Sequence, residues 1–440
     1  TKPELNAPTT WVAPELVAEV KFQDWTEDGH LRAPVFLRLR DDIDPKTVRR
    51  EVTTKSAAVP ASTSTARGRK ASSLRLSGAA RDTQSANSEI DDVLRQLDNA
   101  KATFPIAVGP HTLKLTHLDR VYWPADQALS QAPVTKRDLL RYFAQVSPFI
   151  LPHLADRPLT MIRMPDGIHG QRFFQKHWEQ ERPPFARTIT VFSEHKDESH
   201  EYLLCNDLPT LLWLAQSGTL EFHVWHSRAQ PGPDTKAQTD DYSSSAEALE
   251  TSVLNHPDYV VFDIDPYIYS GKEKAGDEPE LNTIAFEKGK EVAFWLRELL
   301  HTMSLEAIVK TSGKTGLHVF VPIKRTIDFD AARAVSEIVG RHLMGQHPKD
   351  ITMEWSVPKR TGKIFMDYNM NVRGKTLNVA YSPRGAAGAP VSMPLTWDEL
   401  AGAHPLDFRL ANVPQRLAQN GDRWRDALKK KQSIERALKM

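Results

Sequence analysis

Residues 259–266 read YVVFDIDP, and this stretch decides the fold. Its apolar residues predict a buried strand. The period of two along a strand delivers Asp263 and Asp265 to one face at its end. Two carboxylates on one face repel unless something positive lies between them, and a hard divalent ion with oxygen ligands is the natural occupant. A solvated strand-end turn would look the same, so a lone DxD leaves the choice open.

Two further segments bear on that choice. KIFMDYN, residues 363–369, places Asp367 at the corresponding point of a second apolar strand, as a candidate third carboxylate. Three acidic groups on rigid strands suit a two-metal site, in which ions about 3.5 to 4 Å apart clamp the attacking and leaving oxygens of phosphoryl transfer. Between the two lies KTSGKTGLHVFVP, residues 310–322, read as strand, turn and strand. Ser312, Gly313, Lys314, Thr315 and Gly316 form a small turn able to wrap phosphate oxygens with backbone N–H groups and a lysine, and His318 follows on the strand. A P-loop is excluded by spacing, because the position five residues before Gly313 is Ile308 rather than glycine.

Around this centre the order of elements is mixed. TKRDLLRYFAQVSPFILPHL has helical spacing, with Thr135 as N-cap and prolines closing it, and LPTLLWLAQSGTLEFHVWHS joins an apolar helix to a strand. Helices are expected over 282–303 and 330–344, strands over 363–370 and 377–381, and an exposed polar loop over 228–255. Without strict βαβ alternation this is an α+β chain. Near the N-terminus, strands over Val17–Trp25 and Leu31–Leu39 flank a TEDGH turn. From Thr53 to Ser88, 21 of 36 residues are Ala, Ser or Thr, which predicts a disordered linker.

At roughly 150 residues per domain, a chain of 440 residues suggests two or three domains. The balance of 57 Lys and Arg against 56 Asp and Glu excludes a tail-driven nucleic-acid binder but permits a basic cleft. One cysteine, Cys205, excludes a disulfide framework or a multi-cysteine zinc site. No apolar run is long enough to span a membrane and no signal peptide is evident, so a cytoplasmic, membrane-free protein is expected. The absent initiator Met points to a piece of something longer.

The ordered set FDIDP, TSGKTGLHVFVP, KIFMDYN and VAYSPRG resembles the polymerase domain of bacterial DNA ligase D, a member of the archaeo-eukaryotic primase superfamily. LTHLDRVYWP, LPHLADRPLTMIRMPDG, RFFQKHW and LEFHVW extend the resemblance over about residues 104–425. The N-terminal EVKFQDWTEDGHLRAPVFLRLRDD resembles the final motif of the oligonucleotide-binding (OB) domain in the ligase part of that protein. The implied layout is an OB-domain fragment at 1–52, a flexible linker at 53–100 and a primase-polymerase domain at 101–440. The implied fold is a primase-like two-module catalytic core, one module built on an antiparallel sheet like an RNA-recognition motif (RRM).

The resemblance assigns Asp263, Asp265 and Asp367 to two divalent metal ions, manganese in preference to magnesium. It assigns Ser312, Gly313, Lys314, His318, Arg360, Arg384 and His223 to the incoming nucleoside triphosphate, a ribonucleotide in preference to a deoxyribonucleotide. Phe173 and Phe174 fall on a base-stacking pair, and Arg120 and Lys136 on the pocket for a DNA 5'-phosphate. Three positions depart from the family: Thr315 stands where the lysine usually lies, Ile162 where a basic residue is common, with Arg163 beside it as a substitute, and Met370 where a polar residue is common.

The implied activity is nucleotidyl transfer onto primer 3'-ends at gaps and double-strand breaks, templated and untemplated, in bacterial non-homologous end joining. Expected partners are DNA ends, a bacterial Ku and the ligase part of the same polypeptide, in the nucleoid. The rival readings are a de novo primase and a non-catalytic module that bridges DNA ends through the 5'-phosphate pocket.

Overall fold

The computed structural model describes residues 17–21, 35–40, 79–193, 198–230, 239–267 and 281–437. The chain divides into two compact units, Thr1–Ser77 and Gly78–Met440. In the first, Val17–Lys21 pairs antiparallel with Val35–Arg40, with a register shift between Glu19 and Val20; the TEDGH turn lies outside the described residues.

Among its described residues the second unit has two larger sheets and three two-stranded ones. In the largest, Tyr259–Tyr267 is central. The strand order is Ile351–Thr352, Lys363–Asp367, Tyr259–Tyr267, Leu317–Pro322, Ile308–Thr311, Pro394–Leu395. All neighbours are antiparallel except the parallel pair formed by Ile351–Thr352 and Lys363–Asp367. Along the chain the central elements run strand Tyr259–Tyr267, helix Thr283–Thr302, strands Ile308–Thr311 and Leu317–Pro322, helix Phe329–Gln346, strand Lys363–Asp367. That is the split β-α-β-β-α-β arrangement, the RRM-like sheet that the family resemblance implies.

Both helices touch the central strand and each other. Asn282 and Asp328 cap them by accepting the N–H of Ala285 and Ala331. Ser336 of the second helix donates to the Val261 carbonyl and lies with Phe262, Met353 and Met366. The helices therefore cover the Phe262 face, and alternation leaves Asp263 and Asp265 on the other.

That other face meets the smaller antiparallel sheet, whose order is Thr376–Asn378, Thr219–Trp225, Leu159–Arg163, Phe173–Gln175. His226 meets Phe320 across the junction with ring centroids 6.2 Å apart, and the Arg157 guanidinium lies over Tyr259. One hydrophobic core, from Val93 to Ile434, runs through both layers.

Three sequence expectations are corrected. The linker does not extend to residue 100: Ala79–Gln96 is a helix, and its Val93, with Leu97 just beyond its end, is completely buried in the core. Ile90, Val93, Leu94 and Leu97 recur at helical spacing and supply the apolar stripe that the Ala/Ser/Thr-rich stretch before them lacks. Within 228–255, Ala246–Thr251 and Val253–Asn255 are helical; Val253 is buried, and Leu249 and Leu254 pack in one cluster with Val191 and Trp225. The helix Lys136–Leu154, capped by Thr135, runs through Pro148 and Pro152 instead of ending at them.

Candidate active site

Antiparallel register builds the site. Lys310 lies opposite His318, His318 opposite Asp263, and Asp263 opposite Asp367. Directly opposed residues share a face, so four strands lay a row of Lys, His, Asp and Asp across the open side of the large sheet. Asp265, two residues on, joins that face opposite Phe365.

Asp263 is buried, and its Oδ1 has no hydrogen-bond partner. His318 Nε2 lies 3.3 Å from that oxygen without the alignment of a hydrogen bond. Burial, then the charges of Asp265 and Asp367, push the Asp263 carboxyl well above its usual range. Burial raises Asp367 as well, although its Oδ1 accepts the Asn369 N–H at 2.9 Å. Among the described residues no three His, Cys, Asp or Glu side chains form a ready-made metal cage. The donors nonetheless fit hard divalent ions: carboxylate oxygens on rigid strands, one of them buried with nothing bonded to it.

The Ser312–Gly316 turn borders the row. Ser312 Oγ accepts the N–H groups of Lys314 (3.2 Å) and Gly316 (3.1 Å), and Ser312 N–H donates to the Gly316 carbonyl at 2.9 Å. Two amides expected to face phosphate thus hold the turn itself. A Cβ at Gly316 would stand 2.4 Å from the Ile264 carbonyl oxygen. At Gly313, with φ +77°, it would meet Arg384 Cγ at 2.7 Å, so both positions need glycine.

Arg384 Nη1 donates to the Ser312 carbonyl at 2.6 Å, and its Nε to Glu221 Oε2 at 3.0 Å. Glu221, fully buried on the smaller sheet, also accepts from His223 Nε2 (3.1 Å) and the Gly385 N–H (2.9 Å). Burial raises the Glu221 carboxyl, but Arg384, His223 and Gly385 outweigh it and hold it well below the usual range. Burial lowers His223 against the pull of Glu221. Glu221 therefore ties His223 and Arg384, from separate segments, to one anchor. Upstream of Arg384, Tyr381 takes φ +69°, a conformation uncommon for an aromatic residue. Its carbonyl accepts from Tyr142 at 2.6 Å and its hydroxyl donates to Asp422, which fixes the bend.

Arg360 stacks over Phe365, Cζ 3.6 Å from the ring centroid, on the face that carries Asp265. Its Nε donates to the Glu354 carbonyl (2.7 Å), Nη2 to the Trp355 carbonyl (2.8 Å) and Nη1 to Tyr267 Oη (2.9 Å). It is therefore near the carboxylates but held by protein acceptors.

The residues expected to meet DNA form a second group. Arg120 pairs with Asp166 at 2.5 Å, and its carbonyl accepts the Lys136 N–H. Burial, then Arg120, lowers the Lys136 ammonium to about 8. Tyr122 feels both Arg120 and Arg163. Arg163 lies opposite Phe173, gives its Nε and Nη2 to the Ser217 carbonyl and its Nη1 to Gln175, and covers the Trp178 ring. Phe173 and Phe174 are 40% and 62% exposed, and the Lys176 ammonium lies over Phe174.

Sequence reading missed Lys310, Glu221 and Ser392. Lys310 sits at the head of the KTSGKTG segment, where only the turn drew notice. Glu221 is two residues before His223, a spacing that places both on one face.

A split β-α-β-β-α-β sheet bearing three aspartates on its open face, backed by a second sheet, defines the class of α+β primase-like polymerase cores. The chain belongs to the LigD primase-polymerase domain family, whose model matches residues 135–424, and residues 1–43 match the C-terminal region of ATP-dependent DNA ligases. It is 28% identical over 435 residues to the multifunctional non-homologous end joining protein LigD of Pseudomonas aeruginosa, covering 98% of this chain and 42% of that protein. The Mycobacterium tuberculosis (H37Rv) LigD is 30% identical over 310 residues, 70% of this chain and 36% of that protein. A solved polymerase domain from M. tuberculosis ligase D in complex with DNA superposes with TM-score 0.59 and 27% identity, over 73% of this chain and 99% of that one. The chain thus spans about two fifths of the length of such relatives. No helix among the described residues is long and apolar enough to cross a membrane.

Proposed function

We propose that this chain is a metal-dependent nucleotidyltransferase that extends primer 3'-hydroxyls at DNA gaps and double-strand breaks, with and without a template, in non-homologous end joining. The observation that carries the reading is Asp263 Oδ1, buried and without a hydrogen bond, on one sheet face with Asp265 and Asp367. These three aspartates hold two divalent ions, manganese in preference to magnesium. When bound, the ions make the 3'-hydroxyl more acidic and offset triphosphate charge.

The protein's own groups do the rest. Arg384, anchored by Glu221, brings a guanidinium to the triphosphate side of the row, with the Ser312–Gly316 turn, His318, His223, Lys314 and Arg360 completing that side. Phe173 and Phe174 offer faces for base stacking. Arg120 and Lys136, beside Arg163, take a 5'-phosphate, whose charge exceeds that of a diester. Residues 1–52 act as part of a ligase OB domain, joined to the polymerase by the Ala/Ser/Thr-rich segment; Ku and the ligase part are partners at the break, and ribonucleotides are preferred.

The test is primer extension on a gapped duplex, with ribo- and deoxyribonucleotides compared under Mn²⁺ and Mg²⁺. Extension is expected in the wild type and absent after D263A/D265A. Survival of extension in that variant overturns the assignment, and tight binding of 5'-phosphorylated ends by a wild type that never extends would favour the end-bridging module.

A further inference from the structure

Lys310 has no place in the assignments above, yet it is 1% exposed at the end of the charged row. Its Nζ lies 2.7 Å from His318 Nδ1 and 2.6 Å from Ser392 Oγ. The Ser392 hydroxyl gives its own proton to the Thr311 carbonyl at 2.8 Å, so toward Lys310 it can only accept. Toward Ser392, Lys310 is therefore the donor. It also lines a cavity of about 30 Å³ whose wall carries His226 Nε2, Asn378 Oδ1 and Trp424 Nε1, each buried without a hydrogen-bond partner.

His318 is held from both sides. An N–H of Lys310 at Nδ1 leaves that nitrogen as acceptor and puts the ring proton on Nε2. On the other side Nε2 faces the Asp263 carboxylate oxygen at 3.3 Å, where a bare lone pair would be repelled and an N–H attracted. The same tautomer is the electrostatically favourable one toward both neighbours, although the Asp263 contact lacks the alignment of a hydrogen bond.

We propose that Lys310 is a positioning residue that holds His318 in the Nε2–H form, so that His318 presents a hydrogen-bond donor to a phosphate oxygen of the substrate and is not a metal ligand. An imidazole nitrogen that carries a proton has no lone pair for a metal. The phosphate part of this statement rests on the polymerase reading above; the tautomer does not.

The experiment is ¹⁵N–¹H correlation spectroscopy of histidine-labelled protein, with the His318 signals assigned by their loss in H318Q. Wild-type protein should show a protonated Nε2 and a bare Nδ1, unchanged when Mg²⁺ is added. K310M should mix or invert the two nitrogens, and should raise KM for nucleoside triphosphate roughly tenfold, the scale of one hydrogen bond to a charged group, with a smaller change in kcat. A protonated Nδ1 in wild-type protein, or Mg²⁺ displacing the Nε2 proton, overturns the proposal without recourse to any variant. An unchanged tautomer in folded K310M overturns it as well. Absence of primer extension by the wild type would sink the polymerase reading while leaving the tautomer measurement intact.

Discussion

Asp258 and Asp263 are both buried and only five positions apart in the chain, yet they are opposite electrostatic solutions. Asp258, just before the central strand, receives Arg157 at 2.8 Å, Arg228 at 2.9 Å and Lys431 at 2.7 Å, with Arg325 3.7 Å away. Burial raises its carboxyl, but these cations together hold it well below the usual range. Asp263, within the strand, has other carboxylates for neighbours and an oxygen with no hydrogen bond, and its carboxyl is pushed up. The first carboxylate is neutralised by the protein itself. The second feels Lys310 and Arg384 but has no such set of bonded cations, the arrangement that the proposed function needs for a charge from outside.

Changing each residue should therefore break a different property. The largest effect is on chemistry: D263A/D265A should lower primer extension by about a thousandfold or more, read from single-turnover rates on a gapped duplex. Its melting temperature should stay at or above that of metal-free wild type, because removing crowded carboxylates relieves repulsion.

Next comes D258N, which should cost about 3–5 kcal/mol in denaturant unfolding, since it leaves buried guanidinium groups short of their counter-charge. Equal stability losses at the two sites would erase the contrast.

A smaller effect tests the outside charge directly. Mn²⁺ or Mg²⁺ at a hundredfold excess over Kd should stabilise the wild type by about 2.7 kcal/mol, seen as a rise in melting temperature. D263N should lose most of that response. A D263N protein that keeps the full metal-dependent shift would place the ions elsewhere.

The smallest concerns a buried cation. With its pKa lowered to about 8, Lys136 is mostly protonated at pH 7 and mostly neutral at pH 9. A DNA 5'-phosphate stays doubly charged across that interval, so the preference for a 5'-phosphorylated gap over a hydroxyl end should be full below the lysine's pKa and fall as pH rises through it. The expected loss is roughly tenfold, about one charge-assisted hydrogen bond. Fluorescence anisotropy with both gaps from pH 7 to 9 measures it, and K136M should flatten the curve.

Much of this architecture was legible in the sequence where a signal is local. YVVFDIDP reads as a strand because its apolar run and paired acids lie in consecutive residues; the RRM-like sheet was expected only through the resemblance that the ordered motifs carry, the order of elements alone giving no more than an α+β chain. The hub at Glu221 was not legible, because its partners His223, Arg384 and Gly385 meet only when the smaller sheet and the 384–385 segment close on one another. Lys310 was hidden for a related reason: its meaning comes from register with His318 and from Ser392, 82 residues later in the chain. The helix Ala79–Gln96 was obscured differently, since its apolar stripe begins only at Ile90, after a run whose composition suggests a linker.

Under the proposed function, the row from Lys310 to Asp367 also turns catalysis into a gauge of folding fidelity. Its members come from four strands, and a slip of one residue in any of them would rotate that side chain toward the helices. A sheet with one wrong register contributes no partial site. The specific activity of a refolded sample therefore counts molecules with every strand junction correct, a number that total β-sheet content, however carefully measured, does not contain.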